Sequence, residues 1–201
     1  MKIGPRYKIA RRLGSAVFDK TQTQKFALSE AKRTKAVKGR RKQVSEYAQQ
    51  LLEKQKIRYT YGVTEKQFEN YVKEAIATKG VSSADALQEY LEVRLDNVVY
   101  RIGLAPTRQA SRQMVSHGHC LVNGKRVTVP SYRLKIGDKI TIREGSKNSV
   151  LFAEMAKKLE KAFMPVWLSF DAGKMEGIVK QKPTKEGALL DFGRVLEFYS
   201  R

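Results

Sequence analysis

The spacing of hydrophobic positions changes character along the chain, and each change predicts a different kind of structure. Residues 1–41 show little pattern: Lys8, Arg11, Arg12, Lys32, Arg33, Lys35, Lys38, Arg40 and Arg41 crowd the segment, and large apolar residues are scattered. Such a stretch reads as a basic arm that buries too little surface to order itself. It stays mobile or folds against a phosphate backbone. Over residues 42–91 the spacing turns helical. Tyr47, Leu51 and Leu52 recur at helical intervals, while Lys54 and Lys56 keep the segment basic. Thr64 stands three residues before Gln67, the spacing of a capping box that satisfies free N–H groups at a helix start. Phe68, Val72, Ala75 and Ile76 form one apolar stripe, and Gly80 follows as a stop. Residues 82–91 predict another short helix with Leu87, Tyr90 and Leu91 inward.

Residues 92–143 read differently. Leu95, Val98, Val99 and Ile102 make one helical face that ends at Gly103, with Arg94 and Arg101 on another face. Pro106 and Thr107 open a second helix, with Thr107 as its N-cap. There Ala110, Met114 and Val115 face inward, Arg108 and Arg112, four apart, share the outer face, and Gly118 caps the end. Next comes Asn123-Gly124, the pair favoured in a type I′ hairpin turn, followed at once by Lys125 and Arg126. Gly137-Asp138 punctuates before Ile140 and Ile142, which alternate as a strand does. Two helices followed by a small antiparallel sheet are therefore expected. After Ser146 a helix is predicted with Leu151, Met155 and Leu159 inward, then strand-like runs at residues 166–170, 177–180 and 195–199.

Charge narrows the function. Lys and Arg number 40 against 20 Asp and Glu, a formal net charge of +20. That much like charge in one compact body is destabilising unless a polyanion neutralises it. RNA, DNA and an anionic membrane surface are the candidates. The membrane reading lacks a basic amphipathic helix with bulky apolar residues opposite, a lipidation signal, and any run of about 18 apolar residues. The segment 1–13 is basic with no apolar core or cleavage site, so no secretory signal is expected. A single cysteine, Cys120, excludes an intramolecular disulfide and a cysteine-based zinc cluster, and suits a reducing cytoplasm or equivalent organelle compartment. An RNA-modifying enzyme would need a nucleophile or general base on a substantial catalytic domain. The stretch after Arg143 is too short for one and offers no phosphate loop, metal cluster or Ser/Cys–His–Asp set.

Arg108 and Arg112, with the turn bearing Lys125 and Arg126, would bring four charges onto one backbone stretch. The planar fork of arginine suits two phosphate oxygens. Arg94 has two readings, RNA contact or an ion pair with Asp96 or Glu92. His117 and His119 stack on a base, donate to a phosphate, or satisfy a helix end. Ser131 and Tyr132 meet RNA, or Tyr132 closes the small core. Cys120, Trp167 and Phe198 read as packing residues.

The sequence also resembles a known family. Arg94-Leu95-Asp96-Asn97-Val98-Val99-Tyr100-Arg101, Ala105-Pro106-Thr107-Arg108, Val115-Ser116-His117-Gly118-His119 and Leu121-Val122-Asn123-Gly124-Lys125 are similar to the S-four RNA-binding module. The flanks resemble the bacterial-type ribosomal protein S-four family of the small subunit. They include Arg6, Arg11-Arg12-Leu13-Gly14, Gly39-Arg40-Arg41-Lys42-Gln43, Ser45-Glu46-Tyr47 and Leu52-Glu53-Lys54-Gln55-Lys56. Tyr61-Gly62, Gln67-Phe68, Pro165, Trp167-Leu168 and Glu197-Phe198-Tyr199-Ser200-Arg201 continue the match over nearly the whole chain.

The resemblance implies an α+β protein: a mainly helical domain over residues 42–91, completed by 184–201, with a domain inserted over 92–183. That insert carries the module, two helices packed on a small antiparallel sheet, at about 92–143. It implies a structural protein of the small ribosomal subunit, located in the cytoplasm, that binds the 5′ domain of small-subunit ribosomal RNA at a multi-helix junction. Its further implied partners are the fifth small-subunit protein, other small-subunit proteins, and mRNA at the channel by which it enters. Together with the charge pattern it marks Arg6, Arg11, Arg12, Lys38, Arg40, Arg41, Lys42, Lys54, Lys56, Arg94, Thr107, Arg108, Arg112, His117, His119, Asn123, Lys125, Arg126, Ser131 and Tyr132 for RNA. Many bacterial members carry an N-terminal cysteine cluster that binds zinc. Residues 1–50 here contain no cysteine, so neither zinc nor another cofactor is expected. Residues 185–194 also depart from the family pattern.

Overall fold

The computed structural model describes residues 3–36, 45–147, 164–171, 173–184 and 190–200. Among these the helices are α1 (Arg6–Leu13), α2 (Gln24–Ala36), α3 (Glu46–Tyr61), α4 (Glu65–Ala77), α5 (Ser83–Glu92), α6 (Leu95–Arg101), α7 (Arg108–Ser116), α8 (Glu144–Lys147) and α9 (Phe192–Tyr199). A 3₁₀ turn covers Asp19–Thr21. The strands are β1 (Cys120–Val122), β2 (Lys125–Arg126), β3 (Lys139–Ile142), β4 (Leu168–Asp171) and β5 (Glu176–Val179). The chain forms two compact units, Met1–Leu87 with Leu189–Arg201, and Gln88–Ala188.

The first unit is helical. Thr64 caps α4 by accepting the Gln67 N–H, and Phe68, Tyr71, Val72 and Ala75 form its buried stripe. Ile76, expected inward, lies at the rim of that stripe and is 52% exposed. The segment expected to be an arm without a core of its own instead folds over its described part. Ala10, Leu13 and Phe18 are buried, α1 packs on α3, and the Phe18 ring meets Tyr59 edge-on at 5.9 Å. Arg11 pairs with Glu30 at 2.8 Å and lies over Phe26. A few apolar residues at wide spacing escape a periodicity count, yet they suffice when a neighbouring helix supplies the other half of the contact.

Residues 195–199, expected to be a strand-like run, form part of α9. Asp191 accepts the Arg194 N–H at 3.1 Å as its N-cap. Phe192 and Val195, three apart, are buried, and α9 packs on α3. Tertiary burial of a helical face overrides strand propensity here.

In the second unit, α6 and α7 pack together and the five strands form one antiparallel sheet in the order β2-β1-β3-β5-β4. The small sheet expected from residues 120–143 is thus extended by β4 and β5. The core joins Leu95, Val98, Val99, Ile102, Met114 and Val115 of the helices to Cys120, Val122, Ile140, Ile142 and Trp167. Each fully buried aliphatic side chain contributes about 1.5–3 kcal/mol. Burial pushes the Cys120 thiol up to about 12, so it acts as a small hydrophobe. The helix predicted around Leu151, Met155 and Leu159 lies outside the described residues.

Candidate RNA-binding surface

The start of α6 organises the second unit. Arg94, 0% exposed, makes a bidentate ion pair with Asp96 at 3.0 and 2.7 Å. The Leu95 and Asp96 N–H groups donate to the Tyr132 and Pro130 carbonyls at 2.8 and 3.1 Å, which fixes the loop bearing Ser131 and Tyr132. Ser111 on α7 donates to the Asp96 carbonyl at 2.6 Å, so α7 is stitched to the same point. Of the two readings of Arg94, the ion pair holds. Its guanidinium is enclosed, and the RNA contact proposed for it is corrected.

From that anchor α7 sets out its basic residues. Thr107 accepts the Ala110 N–H at 3.1 Å, which caps the helix. Arg108 donates from Nε to Asn97 Oδ1 at 2.8 Å, and its guanidinium lies 4.4 Å from the centre of the Tyr100 ring. Arg112 follows one turn later, partly exposed. At the far end of α7 the hairpin returns. Asn123 and Gly124 have φ of 50° and 77°, and Val122 pairs with Lys125, which is the geometry of a two-residue type I′ turn. Arg126 donates to the His117 carbonyl at 3.2 Å. A Cβ on Gly118, whose φ is 74°, would lie 2.1 Å from Arg126 Nε, so the guanidinium rests directly on that glycine. Lys125 and His117 are exposed. His119 shares a hydrogen bond of 2.9 Å with Ser146, and its ring centre is 6.1 Å from that of His117.

Several other marked residues have structural duties. The Asn123 amide is engaged on both sides, donating to Asp138 and accepting the Lys139 N–H, each at 2.9 Å. Lys54 is buried in the first unit, 2.6 Å from Glu65 and 4.4 Å from the centre of the Phe198 ring. Its proposed RNA contact is therefore corrected. Helical spacing places a lysine on a face but does not reveal what covers that face. Lys56 pairs with Glu53 at 2.6 Å. Arg6 is partly buried and Arg12 exposed. Lys38, Arg40, Arg41 and Lys42 lie outside the described residues. Among the described residues no group of three or more His, Cys, Asp or Glu is placed to hold a metal ion, and no helix is long and apolar enough to cross a membrane.

Comparison with known proteins follows the same division. Residues 1–92 match the family model described as the ribosomal protein S4/S9 N-terminal domain, and residues 93–140 match the S4 domain. The small ribosomal subunit protein uS4 of Chromobacterium violaceum is 43% identical over 205 residues, covering 99% of this chain and 98% of that protein. The proteins of the same name from Chlorobaculum tepidum and Hahella chejuensis are each 42% identical, covering 96% and 99% of this chain and 96% and 98% of their own lengths. The chain belongs to the uS4 family. It is a ribosomal structural protein and not an enzyme. The boundary between the two uS4 family models falls after Glu92, the last residue of α5. Sequence reasoning named that residue only as a possible partner of Arg94, not as the partner of Asn97 and Arg101 that it is. Its carboxylate accepts from Asn97 at 2.8 Å and from Arg101 at 3.1 and 2.6 Å. Arg101 stood out as a cation, but nothing in the spacing indicated a partner nine residues back.

Proposed function

We propose that this uS4 family member binds the 5′ domain of small-subunit ribosomal RNA at a multi-helix junction and nucleates assembly there. The observation that carries the reading is that Arg108 and Arg112 lie one turn apart on α7 while Arg126 is seated on the end of the same helix. In A-form RNA the deep major groove is closed to side chains, so structured RNA is recognised through shape, phosphates and unpaired bases. Short, rigid elements bearing guanidinium groups suit that task, because phosphate contacts fix register and orientation. A net charge of +20 supplies long-range attraction to the same ligand. In the assembled subunit the chain contacts the fifth small-subunit protein and other small-subunit proteins, contributes to decoding accuracy, and helps line the channel by which mRNA enters. Its location is the cytoplasm.

The test is a titration of purified protein against the transcribed 5′ domain, with duplex DNA as competitor at moderate salt. The expected result is tight binding that excess DNA leaves in place. Equal competition by DNA would reduce the interaction to generic polyanion affinity and overturn the reading.

A further inference from the structure

A buried polar relay leads from the α5 end to Arg108. Glu92 and Asn97 are 3% and 2% exposed. The Asn97 Nδ2 donates to both the carbonyl and the carboxylate of Glu92, at 2.9 and 2.8 Å. With its amide nitrogen committed there, Asn97 must turn its Oδ1 toward α7, where it accepts from Arg108 Nε. Arg101 grips both oxygens of the Glu92 carboxylate, its Nε sharing Oε2 with Asn97 and its Nη2 reaching Oε1. The Tyr100 ring then fixes the face of the Arg108 guanidinium.

We infer that Glu92 and Asn97 are positioning residues for RNA binding, which hold the Arg108 guanidinium in one orientation toward the phosphate backbone; this rests on the RNA-binding reading above. The electrostatics suit the role. A buried carboxylate in an RNA-binding module would by itself weaken attraction to phosphate. Arg101 offsets the Glu92 charge and Asn97 is neutral, so the relay itself adds no net charge beside Arg108. The relay therefore supplies orientation without lowering the potential at Arg108. Orientation matters because a bidentate guanidinium–phosphate contact requires the plane of the fork to be set, and a side chain held beforehand loses less entropy on binding.

The test is a double-substitution cycle read as affinity for the transcribed 5′ domain at fixed salt. Arg108→Ala should weaken binding by about ten- to a hundredfold, the range of one charge-assisted contact. Asn97→Ala should cost a similar factor in the parent protein and almost nothing when Arg108 is already Ala. A merely structural role would cost the same in both backgrounds, and that result overturns the inference. If thermal melting shows Asn97→Ala to be unfolded, Glu92→Gln, which keeps the side-chain volume, takes its place in the same cycle with the same two outcomes. Unchanged affinity in Arg108→Ala would instead count against the RNA-binding surface itself, so failure of that reading is told apart from failure of the relay.

Discussion

Lys54 is 7% exposed, with its ammonium held by the Glu65 carboxylate and two aromatic rings, Phe198 and Tyr199. The Tyr199 hydroxyl donates to the same carboxylate at 3.2 Å. Burial pushes the Glu65 carboxyl up, but the hydrogen bond and charge of Lys54, with the charge of Arg58, outweigh it and hold the group below its ordinary 4.5. A depressed carboxyl contributes stability that is present above the unfolded-state value and lost as pH falls through the folded one. Lys54→Ala should therefore destabilise the protein by about 1–3 kcal/mol in denaturant titration at neutral pH, limited because the Glu65 side chain is 45% exposed. The gap between parent and variant should narrow on acidification below about 4.5. Affinity of the folded variant for RNA should not change, and a large loss there would return Lys54 to the binding surface. Burial, and then Glu65, push the Tyr199 hydroxyl upward, so stability should also fall as pH rises past the ordinary 10 and the unfolded chain ionises first. Lys54 and Arg108 look alike in the sequence, each a cation on a helix. What separates them is a helix from the far end of the chain, and no local pattern carries that information.

At the scale of elements, the turn and cap chemistry of the second unit could be read directly. Asn123-Gly124 makes its type I′ turn and Thr107 caps α7, because both depend only on a few adjacent residues. The duty of Arg126 could not be read, since it depends on the missing side chain of Gly118. Gly118→Ala forces a Cβ into the Arg126 guanidinium at a backbone φ of 74°. The expected outcome is a loss of about 1–2 kcal/mol of stability from the left-handed conformation, by thermal or denaturant unfolding, together with RNA affinity reduced toward that of Arg126→Ala. Stability lost with affinity intact would mean that Arg126 finds the phosphate backbone without its seat on α7. The periods of α4, α6 and α7 were equally open to reading, as each stripe is continuous. The helix α1 and the helical state of α9 were not, because their few apolar residues gain burial by packing on α3.

For the whole molecule, charge and architecture divide the work. A formal net charge of +20 draws the protein to any polyanion, and the effect is screened within about 8 Å at physiological salt. Discrimination must then come from cations held in place, and in the second unit these are fixed by the Arg94–Asp96 pair, the Asn97 contact to Arg108 and the Arg126 contact to α7. The general polyanion affinity was evident from composition alone. The division of cations into those that build the fold and those that face outward was not, since Lys54 and Arg101 are matched to carboxylates by tertiary placement. The most direct measurement of the central claim is the salt dependence of 5′-domain RNA binding for the parent and for a variant with Arg108, Arg112, Lys125 and Arg126 all changed to Ala. Each phosphate contact contributes about 0.7–0.9 to the log–log slope, so four lost contacts should make the slope shallower by about 3. A slope that stays the same in the folded variant would contradict the account, because those four side chains would then neutralise no phosphate.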